Sequence, residues 1–154
     1  MQKFIRTSKL CGLSFLGVLS GCISTSPWKL DTIACGNKKY DSARLSYEES
    51  PLRLEFIKLG QQGDLFASLT QYRFTPLISD TSSVCVQLSI AGQTAEEIVP
   101  LLQGQMRLYF PKETTEKIVK ALQEGETVDM LIDGFQATIQ PELFVASYEK
   151  FTGV

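Results

Sequence analysis

Residues 127–132 (TVDMLI), Asp133-Gly134 and residues 135–140 (FQATIQ) constrain the fold more than any other stretch of this chain. Asp-Gly enters the left-handed backbone region at low cost. A two-residue hairpin turn needs that geometry because its twist matches the flanking strands. Pairing across the turn sets Ile132 against Phe135, Met130 against Ala137 and Val128 against Ile139. All six fall on one face, with Asp129, Gln136, Thr138 and Gln140 on the other. A slip of one residue would turn the apolar set into water, so the register is well specified. The segment therefore demands an antiparallel sheet with one buried face.

Other segments carry the same period of two. Residues 28–35 read as a first strand, with Trp28, Leu30 and Thr32 on one side, and residues 43–47 as a second. In residues 52–59, Leu52, Leu54 and Phe56 alternate with Arg53 and Glu55; Ser50-Pro51 in front would equally suit a short helix. Gly60–Gly63 reads as a hairpin loop, and residues 64–74 return with Leu65, Ala67 and Leu69 on one face. Val84, Val86, Leu88 and Ile90 mark another strand, as do Met106, Leu108 and Phe110.

Helical signals are fewer. Thr94–Glu97 matches a capping box, and Pro100 should end that helix after little more than a turn. Residues 112–124 carry a stronger pattern. Pro111 fits a first turn and Glu113 and Glu116 lie where the helix dipole favours acids. Glu113–Lys117 and Glu116–Lys120 are spaced i,i+4, Ile118, Ala121 and Leu122 form an apolar stripe, and Gly125 follows. A last helix spans about 141–151, with Phe144, Tyr148 and Phe151 facing inward. The sum is a strand-rich α+β domain: about seven strands in a mostly antiparallel sheet or sandwich, with a mid-chain and a C-terminal helix packed on it. The mid-chain helix is long enough for a crossover, which leaves room for one parallel pair.

The first 22 residues differ from the rest. Lys3, Arg6 and Lys9 precede an apolar run, residues 10–20, with no acid before Leu19-Ser20-Gly21-Cys22. This order is that of an export signal, and the run is too short to span a bilayer, which needs about 20 residues. Leu-Ser-Gly-Cys resembles the lipobox of bacterial lipoproteins, a likeness confined to residues 1–22. The resemblance implies export and processing by the lipoprotein machinery, cleavage between Gly21 and Cys22, and diacylglycerol on the Cys22 thiol with an acyl group on its new amine. Ile23 in place of Asp after that cysteine implies delivery to the outer membrane of a Gram-negative cell, facing the periplasm. Residues 1–21 are then a signal peptide, 22–27 a lipidated terminus and short tether, and 28–154 one globular domain. Without residues 1–21 the chain keeps 12 basic against 17 acidic residues, a net charge of −5. That is a poor partner for nucleic acid, whose binding runs on Lys and Arg neutralising phosphates.

Cys35 and Cys85 remain for the domain. In an oxidising compartment they are expected to bridge; the alternative is two separate buried thiols acting as small hydrophobes. The chain has no histidine, which removes Ser-His-Asp and Cys-His catalysis and His-ligated metal sites. No Gly-rich phosphate loop occurs. Glu48-Glu49 and Glu96-Glu97 are neighbours that point apart, so they read as surface charge. No catalytic, metal or cofactor residue is assigned. Tyr72, Arg73, Arg107 and Tyr109 mix aromatics with Arg in the way binding hot spots do, although alternating strand residues would produce the same pattern. The expected function is a non-enzymatic binding or structural module of the cell envelope, held to a bilayer by Cys22, with an envelope protein as candidate partner. The alternatives are an enzyme using carboxylates alone on glycan or cell wall, and a carrier of an apolar ligand.

Overall fold

The computed structural model describes residues 26–32, 42–49, 51–59 and 62–153. Among them run nine strands and two helices: β1 (Trp28–Thr32), β2 (Ser42–Glu49), β3 (Leu52–Leu59), β4 (Gln62–Leu69), β5 (Ser83–Ile90), β6 (Gln93–Pro100), β7 (Arg107–Phe110), α1 (Lys112–Gln123), β8 (Val128–Ile132), β9 (Phe135–Ile139) and α2 (Phe144–Thr152). They form a five-stranded sheet of order β1-β2-β3-β4-β7 and a four-stranded sheet of order β6-β5-β8-β9. Every neighbouring pair is antiparallel. The strand-rich α+β architecture is thus as the residue pattern requires. The room left for a parallel pair is not used, because α1 carries the chain from β7 in one sheet to β8 in the other. A Leu101–Leu108 bridge ties the end of β6 to the first sheet.

The hairpin of β8 and β9 has the register the sequence sets, Ile132 with Phe135 and Val128 with Ile139, and Asp133 and Gly134 both have positive φ. A second turn of this kind occurs at Ala91-Gly92 (φ 50° and 75°), and it overturns the helix expected over 94–99. Residues 93–100 instead pair with all of β5, from Ile90–Gln93 to Ser83–Pro100. Eight paired positions outweigh a four-residue capping pattern, and a one-turn helix would have buried little. Pro100 is tolerated because β6 is an edge strand. Elsewhere the boundaries shift. β4 stops at Leu69 rather than 74, pairing with β3 reaches Leu59–Gln62, and α2 starts at Phe144 because Pro141–Leu143 makes a turn.

One continuous core fills the space between the sheets and helices. Its densest part is aromatic. Trp28 lies 4.9 Å from Tyr47 and 4.8 Å from Phe144, and Phe56 meets Phe144 and Phe151 at 6.0 and 6.4 Å. The edge strand β9 is sealed by side chains from the first sheet. Glu49 accepts a hydrogen bond from the Thr138 amide (2.8 Å), the Tyr47 hydroxyl donates to the Thr138 carbonyl (3.0 Å), and the Trp28 indole donates to the Gln140 carbonyl (3.2 Å). Unpaired edges otherwise template pairing with other chains.

The antiparallel order of the first sheet sets two ends. The start of β1, the turn between β2 and β3, the end of β4 and the start of β7 share one end. At the other, α1 follows β7 and touches β4, β8 and α2.

Candidate functional site

Gly21 and Cys22, the expected cleavage and lipidation residues, lie outside the described residues, as does Cys35. Cys85 is half-buried between Val84 and Val86, which face the core, so its own side chain points out of the second sheet. It is a free thiol, and the bridge expected with Cys35 is not formed at Cys85.

Tyr72 and Arg73 lie on the chain after β4 and Arg107 and Tyr109 on β7, and hydrogen bonds from the Leu69 amide to the Met106 carbonyl and from the Phe74 amide to the Gln105 carbonyl (2.8 Å) hold the two segments side by side. With β4 ending at Leu69, Tyr72 and Arg73 fall in an exposed loop, where Tyr72 lies 5.5 Å from Phe135 of β9. Arg107 and Tyr109 point outward from β7, half-buried, and both are engaged within the protein.

Their engagement centres on Glu55, which the residue pattern placed among surface positions. Glu55 is on the outward side of β3, yet it is only 6% exposed. Arg44 reaches one carboxylate oxygen at 3.5 Å and Arg107 is ion-paired to the other. Arg44 also holds Asp31 at 3.1 Å. The Arg107 guanidinium sits 4.6 Å over the Phe66 ring, and Phe66 lies 5.6 Å from Tyr109. Tyr109 donates to Asp64 at 3.2 Å; the Asp64 charge, then burial, raises the pKa of that hydroxyl. The Nε atoms of both arginines are buried without partners, so the clamp is tight around the carboxylate at some cost in unmade hydrogen bonds. The cluster follows from strand order and register, since Glu55 pairs with Phe66 on β4 while Arg107, on the far side of β4, pairs with Ser68 two residues along the same face.

A depression of about 540 Å³ lies at the α1 end, between α1, the start of β4 and α2. Asp64, Thr115 and Tyr148 line it, with Lys112, Glu116 and Lys120 from exposed positions on α1. Tyr148 stacks on Phe144 at 5.1 Å, and burial pushes its hydroxyl pKa up. Aromatic, carboxylate, hydroxyl and ammonium groups together suit a polar ligand. Among the described residues no three Asp, Glu or Cys side chains are grouped as metal ligands would be.

The adjacent acid pairs are divided as strand geometry requires. Glu48 faces outward, and Arg53 hydrogen-bonded to it lowers its pKa; Glu49 seals β9. Glu97 pairs with Lys117 at 3.2 Å in place of the capping role expected of it. No known protein family, curated protein or solved structure matches the chain.

Proposed function

We propose that the chain is a lipid-anchored envelope protein, delivered to the outer membrane and facing the periplasm, and that its domain is a non-enzymatic binding module. Its ligand or partner would meet the polar groove at the α1 end. One observation carries the choice of binding over catalysis. Glu55 is the one fully buried carboxylate among the described residues, and both its oxygens are occupied by arginine. A carboxylate-only hydrolase needs a proton donor in a water-poor apolar pocket, with a second carboxylate free to act beside it. In the groove, Glu116 is 68% exposed beside Lys112, and Asp64 is held by Tyr109. A carrier of apolar ligands would instead use the open depression of about 420 Å³ between Leu88, Ile90 and Ala95 of the second sheet and Ala121 of α1, which Glu97, Lys117, Lys120 and Glu124 also line.

The anchor rests on the lipobox at residues 19–22. One acyl chain holds only reversibly and two or more hold stably, so Cys22 would suffice. Among the described residues no helix is long and apolar enough to cross a membrane. Replacing Cys22 with Ala tests the anchor: the expected outcome is loss of lipid-dependent processing and of membrane attachment. Normal processing with the variant still in the membrane pellet would refute it.

A further inference from the structure

Exposed apolar side chains are spread unevenly over the domain. Nine large ones are exposed among the described residues, and six lie toward the end of the first sheet at which the chain enters β1, four of them across the sheet beside β4 and β7. Tyr72 and Ile78 are on the loop after β4, and Leu102 and Met106 on the loop before β7, at the same end of the first sheet as the start of β1. Leu143 and Val145 flank Phe144, whose ring touches Trp28. Ile78 is fully exposed, and Leu143 keeps an exposed leucine at φ 62°, where Asn or Gly would be less strained. None of the nine is on α1 or the turns at 91–92 and 124–127, where Lys112, Glu113, Glu116, Lys117 and Lys120 stand instead. Exposed large apolar side chains thus gather at one end, interspersed with Arg73, Asp80 and Glu142, while the exposed face of α1 at the other is mainly charged.

We infer that the apolar end rests on the lipid surface, with Ile78, Met106 and Leu143 entering the interface, so that α1 and its groove point away from the membrane. This rests on the lipid-anchor reading above. From Cys22 to Trp28 there are six residue steps, about 20 Å at full extension. The lipidated residue therefore cannot stray far from this end. A protein partner would be gripped by a compact, central cluster of anchors. These six residues are instead spread over two loops and the start of α2, which fits a broad fluid surface. Attraction to anionic lipid is not the driving force, because the chain after residue 21 carries a net charge of −5.

The full acylated chain in vesicles of phosphatidylethanolamine and phosphatidylglycerol with brominated acyl chains tests this. Tryptophan is introduced by Ile78→Trp, by Met106→Trp as a second position on this end, and by Gln123→Trp on α1 as the distal control. Trp28 is the same background in all three. An apolar face sinks ~5–10 Å into the interface, so quenching at 78 and 106 should exceed that at 123 by at least about threefold. Equal quenching at all three positions overturns the orientation. Equal quenching together with in-cell crosslinks from position 78 to one envelope protein assigns this end to a protein partner and also overturns it. Mass spectrometry of the same preparation separates the two readings. Acylated Cys22 with equal quenching removes the orientation alone, whereas unmodified Cys22 removes the anchor and the orientation with it.

Discussion

Replacing Glu55 with Gln should destabilise the domain by about 2 kcal/mol, well above the effect of neutralising a surface acid. The size follows from the geometry of the clamp. At 3.5 Å from Arg44, an ion pair in surroundings of effective dielectric about 20 has a direct attraction of about 5 kcal/mol. Much of that offsets the hydration Glu55 loses, because its side chain is only 7% exposed. Taking one member from a fully buried pair costs about 3–5 kcal/mol, since the charge left behind has no partner. Here the arginines are 39% and 36% exposed. They can turn toward water, Arg44 keeps Asp31 and Arg107 keeps the Phe66 ring, so the cost falls below that range. Urea unfolding reads it as a midpoint lowered by about 1 M with an unchanged slope. Glu48→Gln is the comparison: Glu48 and Arg53 are 38% and 37% exposed, and their pair should be worth no more than about 1 kcal/mol. Arg107→Gln should also cost less in the Glu55→Gln background than alone. Equal small losses at 48 and 55, or additive losses at 55 and 107, would refute the idea that the outward face of this sheet is held by a buried carboxylate.

Phe144→Ala removes a fully buried ring shared by Trp28, Phe56 and Tyr148, and should cost about 3–5 kcal/mol by thermal or urea unfolding. Glu49→Ala should leave the Thr138 amide without its acceptor and speed its hydrogen exchange by roughly tenfold or more, while the Met130 amide in β8 changes little. Asp80 accepts hydrogen bonds from the Ser82 and Ser83 hydroxyls and the Ser82 amide, which lower its pKa from 3.8 to about 2. Because the folded value is depressed, its contribution is complete above the unfolded pKa and disappears as pH falls through about 2. An NMR titration of Asp80 with its midpoint at 3.8 would show that this loop is not held as described.

Where two signals coincided on the same residues, the sequence was readable. Asp133-Gly134 with its six inward residues specified a register, and α1 was delimited by Pro111, its acids and Gly125. At β6 two local signals conflicted. Thr94–Glu97 has the side chains of a helix start, but Ala91-Gly92 made a tight turn and placed those residues along β5. Ala at a positive-φ position gave little notice of that turn. Nothing in the linear pattern separates Glu55 from Arg53, since both lie outward on β3. Only the assembled sheet shows that Arg44 and Arg107 close over the first. Likewise Tyr72-Arg73 and Arg107–Tyr109 looked alike in composition, and only the early end of β4 separated a loop pair from a strand pair. The polar groove draws on β4, α1 and α2, so no single segment could announce it.

The side chains that cover the margin of β9 come from positions 28, 47 and 49, and the strand they cover ends at 139. A chain emerging amino terminus first therefore cannot finish this seam until its tail arrives. Such distant contacts slow folding, because a long loop must be closed before they form. A protein cut short before residue 135 would lack the strand that Tyr47 and Glu49 are placed to cap, and its unfinished border would be open to recruiting a neighbour.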